Sequence, residues 1–307
     1  GDRVTAGIGA THEHSKKGWP GSDRPKPRPE LSSVSPPHKA ALKVGIGGLG
    51  TIGFDLAQRL DEGIEGLILN AVSARDVDAA RLRVSRLGQQ VPVMPLAELA
   101  QVCDVVVECA PAAVFSQVAE PTVRLGKVLI TVSVGGLLDN WHLVEMAKTT
   151  GARINVPSGA ILGLDAVRAA ALGEIKHVSM VTRKPPAGLA GAPHIQSNKI
   201  DLDSLDQPLK VFEGSAREGV QAFPANVNVA AALGLAGVGP ERTRLEIWAD
   251  PGISRNTHTI TVESDSARLE LKIENIPTAE NPGTGRIVVL STLAALKRLV
   301  DPLTVGT

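Results

Sequence analysis

Apolar and polar positions follow two different patterns along this chain, and the pattern changes near Gly163. Over residues 42–156, apolar runs of strand length alternate with segments whose apolar positions recur at helical spacing. This alternation predicts βαβ units and a doubly wound parallel sheet. The predicted strands are Leu42–Ile46, Gly66–Ser73, Val91–Met94, Asp104–Ala110, Lys127–Val132 and Arg153–Val156, and the predicted helices are Phe54–Leu60, Asp76–Leu87, Pro95–Ala100, Ala112–Leu125 and Leu138–Thr150.

The second half of the chain predicts a different architecture, because three strand candidates follow one another without helices between them. Consecutive strands imply an antiparallel or mixed sheet, and therefore a second domain of α+β type. The predicted order is helix 164–172, strand 175–184, a loop to about 209, helices near 215–221 and 226–236, strands 243–249, 258–264 and 267–275, and helix 286–300.

These patterns suggest an organisation into domains. We expect an α/β domain over residues 41–157, completed by the C-terminal segment 281–307, and an α+β domain over residues 158–280. Residues 1–40 are rich in proline and poor in large apolar side chains, which predicts a disordered extension.

A glycine cluster joins the first predicted strand to the first helix, in the sequence A-L-K-V-G-I-G-G-L-G-T-I-G of residues 41–53. Its glycines stand at G-x-G-x-x-G spacing, where the first permits a tight turn, the second admits a pyrophosphate and the third lets helix and strand pack. The phosphate would face unpaired N–H groups at the helix start. In this context the motif predicts a dinucleotide-binding (Rossmann) site, with a plain glycine turn as the alternative. The predicted contacts are Gly48, Gly50, Thr51, Ile52 and Gly53.

The end of the second strand bears on the choice of cofactor. An NAD-selective site usually has an acidic residue there, which binds the ribose hydroxyls. This chain has Ser73 and Arg75 instead, with Asp76 beyond them. A hydroxyl and a guanidinium can accept a 2′-phosphate, so we expect NADP, or use of both NAD and NADP. The alternative is that Arg75 is a solvated loop residue.

Small-residue turns follow three further strands, at Glu108–Pro111, Ser133–Gly136 and Pro157–Ala160. In parallel sheets the ligand lies beyond the carboxyl ends of the strands, so these turns are candidates to approach a nicotinamide ring. Singly, each is more often a simple turn. From them we predict Ala110 and Pro111 as cofactor contacts and Ser158 as a substrate contact.

Composition narrows the classes of function. Of 307 residues, 43% are hydrophobic and only 2% aromatic, and 32 basic residues balance 32 acidic ones. Few aromatic platforms and no basic excess argue against nucleic acid as a partner, and no apolar run approaches a membrane span. Cys103 and Cys109 form neither a disulfide framework nor a metal motif. With no secretory layout at the N-terminus, we expect a cytoplasmic protein without a metal site.

The chain resembles the L-aspartate dehydrogenase family over roughly residues 42–303. The motifs that carry the resemblance occur in order along the chain. They are G-G-L-G-T-I-G, A-V-S-A-R-D at Ala71–Asp76, P-S-G-A-I-L-G-L-D-A at Pro157–Ala166, T-R-K-P-P at Thr182–Pro186, F-E-G-S-A at Phe212–Ala216, F-P-A-N-V-N-V-A at Phe223–Ala230, N-T-H at Asn256–His258 and E-N-P at Glu280–Pro282.

The resemblance also implies site residues. The family's catalytic histidine falls on His258, and its cofactor-contacting asparagine falls on Asn228. A further contact, an alanine in the family, aligns with Gly136, a change that is mild if the contact is made through the backbone. Taken without the resemblance, a lone histidine opening a strand is more often structural, although the polar residues before His258 favour a site.

The activity that the resemblance implies is oxidation of L-aspartate with NAD(P)+ to iminosuccinate, which water converts to oxaloacetate and ammonia. His258 would act as general acid and base. The dianionic substrate needs cations, for which Arg183 and Lys184 are candidates, with a solvated strand terminus as the alternative. A place in NAD biosynthesis and a homodimer, with contacts made by residues 158–280, are also implied.

Two other classes of protein remain open at this point. One is a reductase of similar two-domain build, of dihydrodipicolinate or homoserine type. The other is a non-enzymatic sensor that binds NAD(P)H, although such a sensor normally carries a DNA-binding module, and no basic helix is predicted.

Overall fold

A computed structural model describes residues 40–278, 280 and 284–306. The predicted disordered extension therefore lies outside the described residues except for Ala40, as do Asn281 and Pro282 of the E-N-P stretch. Among the described residues, no helix combines the length and the apolar character needed to cross a membrane.

The first half of the described chain forms a parallel sheet of five strands flanked by helices. Its strands are β1 (Leu42–Gly47), β2 (Leu67–Ser73), β3 (Val105–Glu108), β4 (Val128–Thr131) and β5 (Arg153–Asn155). Its helices are α1 (Thr51–Asp61), α2 (Val77–Val84), α3 (Leu99–Val102), α4 (Phe115–Arg124), α5 (Val134–Asp139) and α6 (His142–Thr150), with 3-10 turns at Leu96–Glu98 and Ala112–Val114.

The strand order of this sheet is β2-β1-β3-β4-β5. The chain runs outward from β1 to β2 and then crosses to β3 on the other side, so the connections diverge between β1 and β3. A crevice at such a switch point is where open α/β sheets bind ligands. All four residues of β3 are buried, as expected of a parallel strand that is covered on both faces.

The second half forms a mixed sheet with helices packed on one face. It contains α7 (Leu164–Ala170), β6 (Ile175–Lys184), α8 (Pro193–Ser197), β7 (Leu209–Ser215), α9 (Ala216–Ala222), α10 (Asn228–Ala236), β8 (Arg244–Ala249), β9 (Thr257–Ser264) and β10 (Arg268–Glu274), with a 3-10 turn at Pro186–Gly188. The order is β10-β9-β6-β8-β7, in which β6 and β8 are parallel and the other neighbours antiparallel.

The last helix, α11 (Arg286–Lys297), packs back onto the first sheet. Its Val289 and Leu296 are buried in one apolar cluster with Val44, Ile46 and Leu56. The cluster therefore joins residues from both ends of the described chain. The domain boundaries themselves stay a prediction.

The two sheets confirm the predicted fold class, a doubly wound α/β sheet followed by a mixed one. Two local predictions were wrong, and two elements were missed. The segment 91–94 makes only an isolated bridge, from Val93 to Val72, since prolines stand within it and after it. The helix expected from Leu138 is two helices that part near Asn140. Strand β7 and helix α8 were not predicted.

Candidate active site

A cavity of about 250 Å³ lies where the carboxyl end of the first sheet faces the ends of β6, β9 and β10. The residues around it come from both halves of the described chain. Those from the first half, and from the turn after β5, are Ile52, Ala110, Ser133, Ser158 and Ala160. Those from the second half are Lys184, Asn226, Asn228, Asn256, His258 and Asn275.

The three motif glycines of the turn after β1 differ in what surrounds them. Gly48 has φ +105°, and a Cβ atom on it would lie 2.6 Å from the carbonyl oxygen of Cys109. A Cβ atom on Gly53 would lie 1.9 Å from the carbonyl oxygen of Gly48. Gly50, by contrast, has φ −76°, and a Cβ atom there would meet nothing within 4 Å. Neither the backbone nor the protein interior therefore requires glycine at position 50.

This geometry fits the pyrophosphate of a dinucleotide. Helix α1 begins directly after Gly50, no side chain caps its first N–H groups, and its first turn carries no acidic residue. The space beside Gly50 thus adjoins free donors at the positive end of a helix. The Arg83 side chain holds the turn by donating to the carbonyl oxygen of Leu49 at 2.9 Å, a contact that the sequence analysis missed.

The residues proposed to select the cofactor lie at the end of β2. Ser73 is buried, and its carbonyl oxygen accepts a hydrogen bond from the N–H of Gly48 at 2.9 Å. Arg75 is exposed two residues further on. Ser73 thus supports the turn through its backbone, and the role of both side chains in binding a 2′-phosphate stays a prediction.

Glu108 ties together two of the strand ends that form the cavity. Its carboxylate, fully buried at the end of β3, accepts hydrogen bonds from the N–H of Ala110 at 2.8 Å, from Thr131 Oγ1 at 2.7 Å and from Ser133 Oγ at 3.0 Å. Burial raises the pKa of Glu108, and these hydrogen bonds oppose the shift. Ala110 and Ser133 line the cavity, so Glu108 holds two cavity residues in place although it does not line the cavity itself.

His258 lies on β9 opposite Thr182 of β6. The Thr182 hydroxyl and His258 Nδ1 are 3.0 Å apart, so that Nε2 is the ring nitrogen left for a ligand. The side chain is only 3% exposed, and burial, with the positive charge of Lys184 as a second cause, lowers the pKa of His258 to about 3. The imidazole in the cavity is therefore neutral near pH 7.

Lys184 is the last residue of β6 and is 5% exposed. Its Nζ donates to Asn226 Oδ1 at 2.7 Å, and among the described residues no carboxylate pairs with it. Burial lowers the pKa of Lys184 to about 8. A buried ammonium without a counter-ion is costly, and a carboxylate brought by a ligand would relieve that cost.

Lys184→Met is expected to raise the stability of the folded protein at pH 7. The drop of the pKa from 10.5 to about 8 corresponds to about 3 kcal/mol, an upper limit because the bond to Asn226 is also lost. The difference in stability between the variant and the wild type should disappear as the pH rises from 8 to 10.5. In this range the folded wild type releases the proton that the unfolded chain still holds. Urea unfolding at pH 7 and 10.5 measures both effects.

Lys176→Met, at an exposed position of the same strand, is the matched control and should change stability little at either pH. A Lys184→Met variant less stable than wild type at pH 7 would contradict an uncompensated charge at Nζ.

The structure places two of the predicted contacts, Arg183 and Gly136, outside the cavity lining. Arg183 faces away from the cavity, where its Nη1 pairs with Asp250 Oδ2 at 3.0 Å and its guanidinium lies 5.0 Å from the ring centroid of Trp248. It is therefore already paired and is not placed to bind a carboxylate in the cavity. Gly136 lies inside α5 rather than in a turn, where a Cβ atom would meet the Phe115 ring at 2.9 Å.

Of the remaining predicted contacts, three line the cavity and one does not. Asn228, the first residue of α10, lines the cavity and accepts a hydrogen bond from the N–H of Gly135 at 3.1 Å. Ser158 and Ala110 also line the cavity. Pro111 is exposed, precedes a 3-10 turn and lies outside the lining.

Family models match both halves of the chain. Residues 48–157 match the model described as "Homoserine dehydrogenase, NAD binding domain", and residues 165–299 match "Aspartate dehydrogenase, C-terminal". The doubly wound sheet, the glycine turn and these matches define an NAD(P)-dependent oxidoreductase of the amino-acid dehydrogenase class.

Full-length relatives identify the family. The L-aspartate dehydrogenase of Bradyrhizobium diazoefficiens is 53% identical over 266 residues, which are 87% of this chain and 94% of the relative. L-aspartate dehydrogenase 3 of Bordetella bronchiseptica is 51% identical over 87% of this chain and 98% of the relative. The crystal structure of aspartate dehydrogenase from Thermotoga maritima superposes with a TM-score of 0.67 at 28% identity, covering 86% of this chain and 99% of that one. The chain belongs to the L-aspartate dehydrogenase family.

Proposed function

We propose that this protein oxidises L-aspartate with NAD(P)+ to iminosuccinate, which water converts to oxaloacetate and ammonia. The observation that carries the proposal is one cavity that contains a neutral imidazole and an unpaired ammonium and that adjoins the glycine turn. A dicarboxylic amino acid supplies what this cavity requires, namely a carboxylate for Lys184 and an amine for His258.

The cofactor and the protein have separate tasks in this reaction. When bound, the nicotinamide takes the hydride that leaves Cα of the substrate. The glycine turn and the free N–H groups of α1 would hold the pyrophosphate. Ala110, Ser133 and Asn228 would border the nicotinamide, with the first two held in place by Glu108.

We assign proton transfer to His258. The neutral ring is held through Nδ1 by Thr182, which leaves Nε2 to accept the proton of the substrate ammonium or of the hydrolytic water. The two carboxylates of bound aspartate bring negative charge beside the ring, and a neighbouring opposite charge raises the pKa of an imidazole. Substrate binding would thus strengthen the base.

Lys184 is the proposed partner of a substrate carboxylate, with Ser158, which also lines the cavity, as a further hydrogen-bond donor. The Asn226 amide holds Nζ in place but adds no charge, so the ammonium retains its full attraction for an anion.

Two further parts of the proposal, a place in NAD biosynthesis and a homodimer, come from the resemblance. A cytoplasmic location is a third part, which comes from the sequence analysis instead. For the cofactor we propose NADP or use of both forms, since the acidic residue of strict NAD sites is replaced by Ser73 and Arg75.

The test is to follow NAD(P)H absorbance with L-aspartate, and in reverse with oxaloacetate plus ammonia, using NAD and NADP in turn. L-homoserine and dihydrodipicolinate are assayed beside them, because the model matched by residues 48–157 takes its name from homoserine dehydrogenase. Turnover of aspartate supports the proposal. Turnover of another substrate alone, or cofactor binding without any turnover, refutes it.

A further inference from the structure

Asn275 is a cavity residue to which the sequence analysis assigned no role. It directly follows β10 and is 3% exposed, and its backbone N–H donates to the carbonyl oxygen of Asn256 at 2.8 Å. Asn256, Ala160 and Gly285 are its close neighbours, and all three also line the cavity. Asn275 therefore lines the same space as His258.

The orientation of this amide is fixed by its own contacts. Nδ2 donates to the carbonyl oxygen of Ala160 at 3.0 Å. A carbonyl oxygen can only accept, so the amide nitrogen must face Ala160 and the amide oxygen must face the other way. Rotation of the amide by 180° would place two acceptors against each other.

The amide oxygen is left without a donor. Within the described part of the chain, Asn275 Oδ1 is the buried side-chain polar atom that has no hydrogen-bond partner. Leaving a buried acceptor unpaired costs folding free energy, and such groups in folded proteins call for an explanation. Since this one borders a ligand cavity, a ligand that carries an N–H group would satisfy it.

We propose that Asn275 Oδ1 binds the ammonium group of the amino-acid substrate and so selects an amine over a plain dicarboxylate. This inference rests on the proposed function. An amide oxygen is an acceptor without charge, which suits an ammonium that must later give up a proton. Lys184 would then hold a carboxylate, and Asn275 and His258 would share the nitrogen. The carboxamide N–H of the nicotinamide is the other donor that the cavity could receive.

Asn275→Leu keeps the approximate shape of the side chain and removes the acceptor. We expect the KM for L-aspartate to rise by roughly 10- to 100-fold, as for loss of a hydrogen bond to a charged group. Succinate has the same two carboxylates without the amine, so its inhibition constant should stay at the wild-type value. The dissociation constant of NAD(P)H, measured by fluorescence, should also stay the same.

Asn140→Leu is the control, since Asn140 Nδ2 also donates to a backbone carbonyl, that of Gly136 at 2.9 Å, but lies outside the cavity lining. If Asn275→Leu weakened the binding of succinate and of aspartate equally, the residue would have a structural role and the proposal would be overturned. The 3-acetylpyridine analogue of NADH lacks the carboxamide N–H. If Asn275→Leu weakened the binding of NADH but not that of this analogue, Oδ1 would be assigned to the cofactor instead. An unchanged KM in an active enzyme refutes this inference alone, whereas a wild type inactive on aspartate refutes the proposed function.

Discussion

His258→Ala should lower kcat for L-aspartate by about 10²- to 10⁴-fold, while the affinity for NAD(P)H stays near that of the wild type. The ring contributes a proton acceptor at the end of the cavity formed by β6, β9 and β10, whereas the proposed pyrophosphate and nicotinamide contacts come largely from the first sheet. Stopped-flow or steady-state absorbance gives kcat, and fluorescence titration with NADPH gives the affinity.

His258→Asn is the companion variant, because it fills part of the buried space and can still bond to Thr182. His177→Asn, at an exposed position on β6, is the control and should retain full activity. Loss of NADPH binding in the His258 variants would show that the ring supports the cofactor site rather than the chemistry.

Substitutions at two of the motif glycines, Gly50 and Gly53, should separate effects on folding from effects on cofactor binding. Gly50→Ala is expected to fold with unchanged or slightly higher stability, since φ −76° is open to alanine and the new methyl group meets no protein atom. The methyl group would occupy the space proposed for the pyrophosphate, so the dissociation constant of NAD(P)H should rise by at least about tenfold, the equivalent of about 1.4 kcal/mol. Calorimetry and fluorescence titration measure the two effects on one sample.

Gly53→Ala should behave in the opposite way and fail to fold stably, since its Cβ atom would lie 1.9 Å from a backbone oxygen. Gly191→Ala is the neutral control, because a Cβ atom there also meets nothing within 4 Å and the residue is outside the cavity lining. If Gly50→Ala bound the cofactor normally, the space beside the turn would not be the pyrophosphate site.

The periodicity of the sequence predicted the two sheets, because burial of one or both faces of a strand determines which of its positions are apolar. β6 appears at its predicted bounds, and its buried residues Val178, Met180, Thr182 and Lys184 alternate with more exposed ones. The same alternation places Arg183 and Lys184 on opposite faces. The sequence pattern therefore already indicates that only one of these two side chains can face the cavity.

Other features depend on contacts between distant parts of the chain. Glu108 follows three valines in a buried strand, and an acid at such a position signals a hydrogen-bonded carboxylate, but its partners on β4 cannot be read from spacing. Strand β7 is a bulged edge strand that pairs only with β8, and a glycine near its end weakens its local signal. Asn275 gave no signal, because an unpaired acceptor can be seen only once its neighbours are placed.

The return of α11 to the first sheet bears on how the polypeptide matures during synthesis. Val289 and Leu296 belong to the same apolar cluster as Val44, yet they leave the ribosome more than two hundred residues after it. Until then, the apolar residues that pack against the final helix are exposed in the nascent first half. Such surfaces attract chaperones and promote aggregation. For the same reason we expect residues 40–157 to be less stable in a fusion without the last helix than with it.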